Sequence, residues 1–240
     1  MQVQLFIPCF VDQLYPQTGM NMVKILEALG CEILFNPNQT CCGQPAFNAG
    51  YINESCKVAH KFLNDYNPNL PIVTPSGSCT GFIRNGMKKQ LLPKMNSLNE
   101  TTIIDNVYEL TEFINQFLNI NHLKLQFPHT ITYHDACGAL RECGIKEGPR
   151  KLIHTIEKIQ LIEMKECETC CGFGGTFAVK YEPISVAMAQ TKVQSALQTG
   201  ASYIITTDVS CMMHMQAYIN ENKLPIETLH IADLMARAMQ

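Results

Sequence analysis

Along the chain, short apolar runs alternate with longer stretches in which apolar residues recur at helical spacing. Val3–Pro8, "VQLFIP", has the length and content of a buried strand. From Gly19 to Leu29 the apolar positions Val23, Leu26 and Leu29 fall three apart, and Gly30 is placed to end the helix they predict. Cys31–Phe35 reads as a second strand, Ile52, Cys56, Ala59, Leu63 and Tyr66 mark one face of a second helix, and Leu70–Thr74 reads as a third strand. "VYELTEFI", Val107–Ile114, then reads as an amphipathic helix.

The same order returns in the second half. Thr130–His134, Ile159–Met164 and Tyr203–Thr207 are predicted strands. Between the last two, a helix opens at Pro183, a residue favoured in the first helical turn, and closes at Gly200. "LHIADLM", residues 229–235, supplies a second amphipathic helix near the end. Strand–helix–strand alternation predicts an α/β fold with parallel sheets and right-handed crossovers. Periodicity lapses in residues 119–129, where Pro128 interrupts, so we expect two pseudo-repeated domains, residues 1–122 and 123–240.

Composition narrows the function classes. A chain of 240 residues with 46% hydrophobic content can bury a sizeable core. A net charge of −3 gives no electrostatic reason to expect a nucleic-acid or anionic-membrane partner. The N-terminal apolar run is short and the first basic residue is Lys24, which argues against a secretory signal or transit peptide. No stretch approaches the roughly 20 apolar residues of a membrane span. A cytoplasmic protein without membrane insertion is expected.

Twelve cysteines change the picture. Disulfide scaffolds are short, secreted and loop-rich, unlike this chain, so metal ligation is the better starting point. Cys9, the pair Cys41-Cys42, and Cys79 are separated by 31 and 36 residues; Cys137, the pair Cys170-Cys171, and Cys211 are separated by 32 and 39. Each pair is followed by Gly, in "CCGQPAF" and "CCGFGG". In both halves the cysteines lie on loops leaving the carboxyl ends of predicted strands, and in parallel sheets those ends share one edge, where ligands bind. Four distant thiols per half are therefore expected to meet.

Thiolates are soft ligands that select Zn(II), Cu(I) or iron–sulfur clusters. Adjacent cysteines on extended backbone point apart. A common centre thus needs a sharp turn, which the following glycine can supply through positive φ. Zinc and a polynuclear cluster both accept four thiolates. Cys31 and Cys56 lie on apolar faces of a strand and a helix, Cys143 lacks a partner in the repeat, and Cys167, though it forms a zinc-knuckle-like "CETC" with Cys170, has Asn38 as its equivalent; all four read as structural or incidental. His134 and His214 lie close to the cysteines and are candidates for hydrogen bonds to thiolates, with His214 a direct ligand if the metal is zinc. "GFGG", residues 172–175, lacks the spacing of a nucleotide loop and reads as a tight turn bringing backbone N–H groups to sulfur. "CMMHM", residues 211–215, reads as helix core.

The doubled pattern Cys-x(31–32)-Cys-Cys-x(36–39)-Cys, with Gly after each pair, resembles the cysteine-rich CCG domain family. That family includes a cysteine-rich component of heterodisulfide reductase and the iron–sulfur subunits of glycolate, glycerol-3-phosphate and lactate oxidation. "CCGQPAFNAGY", "PSGSC", "ELTEFI" and "CCGFGGTFAVK" carry the likeness to the lactate branch. The resemblance implies an iron–sulfur electron carrier that oxidises L-lactate to pyruvate together with two further subunits, a ferredoxin-type iron–sulfur protein and a smaller partner. It implies up to two [4Fe–4S] clusters, one on Cys9, Cys41, Cys42 and Cys79 and one on Cys137, Cys170, Cys171 and Cys211, with zinc in one site as an alternative. The family's fuller motif ends in C-x-x-C; here Ser76 and Asp208 stand where the first cysteine of that pair would be. Four thiols per half favour an ordinary cubane over the non-cubane clusters of the heterodisulfide reductase branch. A thiol/disulfide redox enzyme of that branch and a zinc-stabilised assembly module remain alternative functions.

Overall fold

A computed structural model of the chain describes residues 1–95 and 101–239. Each half builds a four-stranded sheet in which every pairing is parallel. In the first, β1 (Gln2–Leu5), β2 (Glu32–Phe35), β3 (Ile72–Thr74) and β4 (Val107–Glu109) stand in the order β2-β1-β3-β4. In the second, β5 (Thr130–Tyr133), β6 (Gln160–Leu161), β7 (Tyr203–Thr206) and β8 (Glu227–His230) stand in the order β6-β5-β7-β8. The α/β class and the repeated parallel sheets are as the alternation predicts.

Helices connect the strands. In the first half, α1 (Cys9–Leu14) and α2 (Pro16–Ala28) follow β1, and α3 (Gln44–Asn48) and α4 (Ile52–Asp65) follow β2. Then come α5 (Gly77–Gly81), its π-helical continuation over Phe82–Leu91, α6 (Leu92–Met95) and α7 (Thr101–Asp105), with α8 (Leu110–Phe117) after β4. In the second half, a π-helical turn (Gly138–Glu142) and α9 (Glu147–His154) follow β5, and α10 (Thr176–Lys180) and α11 (Glu182–Leu197) follow β6. The last two are α12 (Val209–Glu221) and α13 (Ile231–Ala238).

The runs at 107–114 and 229–235 are not helical throughout. Each begins inside a fourth strand and turns directly into a helix. The turning residue is extended and caps the helix: Glu109 accepts from the N–H groups of Thr111 and Glu112, and His230 Nδ1 accepts from Ala232 N–H. Both strands are only three or four residues long and run into the helix with no turn between, so no break in the pattern separates strand from helix. The predicted strand at 159–164 is also shorter, reduced to Gln160–Leu161 at the sheet edge.

The two halves bury one core between them. Phe113 and Ile114 of α8, Ile25 and Leu26 of α2, Leu152 and Ile153 of α9, and Leu234 and Met235 of α13 belong to the same apolar cluster, together with Tyr133. Burial of this continuous surface is the main force joining the repeats. The contacts are exchanged symmetrically: α2 packs on α13, and α9, which repeats α2, packs on α8, which α13 repeats. Polar pairs fix both seams. Thr18 and Asn21 donate to the two carboxylate oxygens of Asp233 (2.9 and 2.8 Å), and Asn115 donates to the Gly148 carbonyl (2.9 Å).

Beneath the carboxyl edges the backbones nearly touch. A Cβ on Gly77 would fall 2.5 Å from Ala139 Cβ, and one on Gly138 2.6 Å from Ser78 Cα. Ser76 and Asp208, equivalent positions of the repeat, form a bridge with each other. This approach brings two sheet edges, and whatever they carry, to one place.

Candidate metal centre

β1 delivers Cys9 to the start of α1, the turn after β2 presents Cys41 and Cys42, and β3 leads to Cys79 in α5, where Ser76 Oγ accepts from the Cys79 N–H at 3.3 Å. The second half repeats this with Cys137 before the π-helical turn, Cys170 and Cys171 before α10, and Cys211 in α12. Cys9, Cys79 and Cys211 thus sit in first helical turns rather than in loops. The helices begin immediately at the strand ends, which fixes those sulfurs more firmly than loops would.

Within each half the four thiols form a chain. Cys9 Sγ lies 3.8 Å from Cys41 Sγ, Cys41 contacts Cys42, and Cys42 Sγ lies 3.5 Å from Cys79 Sγ. In the second half Cys137 contacts Cys170, Cys170 contacts Cys171, and Cys171 contacts Cys211. Cys9, Cys41, Cys137 and Cys170 are the half-buried outer thiols; Cys42, Cys79, Cys171 and Cys211 are the buried inner ones. None of the twelve cysteines is in a disulfide.

The adjacent cysteines are turned towards each other by their glycines. Gly43 and Gly172 have φ of 93° and 97°, the left-handed region in which only glycine is at ease. Their N–H groups donate back to Cys41 Sγ and Cys170 Sγ, both at 3.4 Å. Ser55 and Ser185 hold the two turns by donating to the Gly43 and Gly172 carbonyls at 3.1 and 2.8 Å.

All eight thiols line a single cleft of about 170 Å³ between the halves. Ser76 and Asp208 line it too. Asp208 Oδ2 accepts from Ser76 Oγ (3.2 Å) and Ser78 N–H (2.8 Å), while Oδ1 accepts from Ser210 N–H (3.1 Å). The two positions that would carry a fifth cysteine therefore tie the halves together.

One thiol in each half is strongly acidified in the metal-free chain. Hydrogen bonds from Cys42 and Cys9 lower Cys41 to about 3, and those from Cys137 and Cys171 lower Cys170 to about 2. Their partners Cys9, Cys42, Cys137 and Cys171 are pushed up, because each donates its proton to the shared thiolate. Such clustering favours a cation that removes the protons and binds the thiolates. The donor set fits a thiophilic metal or an iron–sulfur cluster.

Behind the thiols the halves diverge. Phe6, Phe62 and Phe82 pack in the apolar cluster that contains Cys42 and Cys79, with Phe6 and Phe62 edge to face at 5.2 Å. The equivalent positions in the second half are His134, Lys192 and His214. His134 is fully buried and lowered to about 3 by burial and then by Lys192; neither ring nitrogen has a hydrogen-bond partner. Among the described residues, His134, Cys171 and Cys211 are the one trio whose ligand atoms all lie within 4.8 Å of each other. His214 instead contacts Ser185 Oγ (3.1 Å) and the Ser185 carbonyl, so it supports the turn. Lys192, fully buried, donates to the Glu166 carbonyl. A lysine in a helix gives no signal alone; only aligning the repeats, which places it opposite Phe62, could have found it.

The remaining cysteines lie outside both chains of thiols. Cys31 is in the shared core and Cys56 packs against the first apolar cluster. Cys143, raised to about 12 by burial, and Cys167 pack against the core of the second half. "CMMHM" lies in α12 with Met212 and Met215 buried.

Sheet, thiol geometry and glycine turns together define a doubled cysteine-rich domain, and the profile of the cysteine-rich domain family CCG matches residues 3–84 and 131–216. The chain belongs to that family. It is 37% identical over 235 residues to Lactate utilization protein A of Bacillus pumilus, covering 98% of this chain and 99% of the relative. It is 35% identical over 240 residues to Lactate utilization protein A 1 of Bacillus anthracis, covering 100% and 99%. A hypothetical protein from Helicobacter pylori superposes with a TM-score of 0.62 at 15% identity. That match covers 99% of this chain and 49% of the other, so the chain spans about half the length of that structure, and the likeness is one of fold. No helix among the described residues is long and apolar enough to cross a membrane.

Proposed function

We propose that this chain is the iron–sulfur electron carrier of a multi-subunit system that oxidises L-lactate to pyruvate in the cytoplasm. One [4Fe–4S] cluster would be held by Cys9, Cys41, Cys42 and Cys79, the other by Cys137, Cys170, Cys171 and Cys211. The convergence of two equivalent four-thiol sets on one cleft carries this reading, because four cysteine thiolates are the usual ligands of a cubane cluster. The names of the Bacillus relatives supply the lactate. When bound, the clusters would accept and release single electrons. The chain's own part is to hold them: glycine N–H groups hydrogen-bond one thiolate in each half, and the inner thiols are buried. The oxidation of lactate itself belongs to the partners, a ferredoxin-type iron–sulfur protein and a smaller subunit, or to a cofactor they hold.

Metal and sulfide analysis of anaerobically purified protein tests the proposal. About eight irons with matching sulfide per chain are expected for two cubanes; zinc in both halves without iron overturns the reading. The trio His134, Cys171 and Cys211 favours a second reading, with zinc in the second half only. About four irons and one zinc would select it.

A further inference from the structure

The two halves place equivalent backbone behind their inner thiols but very different side chains on it. Phe6 N–H donates to the Val73 carbonyl at 2.9 Å and His134 N–H to the Ile205 carbonyl at 2.8 Å, so the two residues occupy the same site in their sheets. Phe62 and Lys192 each stand three residues beyond a fully buried alanine, Ala59 in α4 and Ala189 in α11. In the first half these positions hold two phenyl rings beside Cys42 and Cys79. In the second, His134 has a ring nitrogen within 4.8 Å of the sulfurs of Cys171 and Cys211. Lys192 lies within electrostatic reach of Cys167, Cys171 and Cys211.

We infer that the two centres have unequal reduction potentials, the second above the first, because an unpartnered imidazole within 4.8 Å of its inner sulfurs and a buried lysine amine behind them stand where the first has phenyl rings. The inference rests on the iron–sulfur reading. Reduction adds negative charge to a cluster, and hydrogen bonds and positive charge in a dry surrounding stabilise the reduced form. Phenyl rings offer neither. Of the nearby acids, Asp135 is paired with Arg150 through two bonds of 2.8 Å, and Asp208, which accepts from Ser76, Ser78 and Ser210, acts on Cys137 and works against the effect. When one electron is shared between the centres, the first is oxidised by one electron, the second is reduced by one, and the electron rests on the second. A tenfold preference corresponds to about 59 mV for a one-electron couple.

The test is a potentiometric titration of the anaerobically purified full chain, followed by electron paramagnetic resonance, with iron and sulfide assayed on the same sample. Two one-electron waves at least about 59 mV apart are expected. The upper wave should survive in Cys42→Ser, which removes an inner thiol of the first centre. The double variant H134F/K192F should bring the upper wave down towards the lower one and leave the lower in place. Lys192→Met alone should move it the same way, and guards against failure of the double variant to fold. Coincident waves in the unaltered chain, or an upper wave that stays fixed in both variants, overturn the inference and leave the iron–sulfur reading intact. Zinc in the second half with iron in the first also overturns it. Absence of iron and sulfide from both halves removes the reading and the inference together.

Discussion

The first cysteine site is backed by phenylalanine and the second by histidine and lysine, yet the thiols of both follow the same path. Sulfur positions are set by backbone: a strand end, a helix start, and a glycine turn with φ near +95°. Each device is satisfied locally and does not depend on what lies deeper. The lining is set by side-chain identity alone, and the repeats have diverged there without moving the thiols. A duplicated site can thus keep its ligand geometry while its two copies acquire different electrostatic surroundings.

The comparison can be broken most forcefully at the ligands. On the iron–sulfur reading, Cys42→Ala should destabilise the first centre and Cys171→Ala the second, each removing up to about half of the iron and sulfide, since each loses one of four thiolate ligands. Metal analysis reads this directly. Unchanged content in either variant would count against that cysteine as a ligand.

The linings should respond in opposite ways to truncation in metal-free protein. Phe62→Ala removes a buried ring packed on Phe6 and should cost about 3–5 kcal/mol in urea unfolding. Lys192→Met removes an ammonium from a buried site and should leave stability within about 1 kcal/mol of the parent or raise it. Equal losses would show that the two positions do not differ as their surroundings imply.

Equivalent capping residues sharpen the contrast through pH. Glu109, at the end of β4, is raised by burial from 4.5 to about 7, whereas His230, at the end of β8, is lowered by burial from 6.5. Glu109 holds a proton more tightly in the folded chain. Its contribution is therefore fully present below pH 4.5 and is lost as pH rises through about 7. His230 stays neutral when folded, so its contribution is present above pH 6.5 and declines as the unfolded chain gains a proton below that value. Urea midpoints measured from pH 4 to 8 should show Glu109→Gln flattening the decline between 4.5 and 7, and His230→Asn, which removes a contribution of opposite slope, steepening it below 6.5.

The contrast between the two turns is finer. Gly43→Ala should cost about 1–2 kcal/mol for its positive φ. Gly172→Ala should cost more, because its Cβ would meet the Ser185 carbonyl oxygen at 2.6 Å, whereas at Gly43 the nearest atom is Ser55 Oγ at 3.2 Å. Thermal unfolding of the two variants side by side decides the order.

Much of this was legible in the chain itself. Apolar runs of strand length predicted β1, β2, β3, β5 and β7, and the positive φ of the glycines after the cysteine pairs followed from the need to turn adjacent thiols together. β4 and β8 were hidden, because a three- or four-residue strand running straight into a helix leaves no turn to read. His134 was visible as a neighbour of the cysteines; Lys192 was not, since its distance from Cys171 in sequence says nothing of the helix face it occupies.

The sequence by itself determined most of the local devices: the strands and helices other than β4 and β8, that the unit occurs twice, and which residues carry soft donors. These depend on side-chain periodicity and backbone preference within a few residues. Only the tertiary structure decided that both sets of thiols open on one cleft, that the halves share a core, and that a lysine stands behind one set and a phenylalanine behind the other. Those outcomes depend on how far apart segments pack, through Gly77 against Ala139 and α2 against α13, and such packing is an energy of the whole chain.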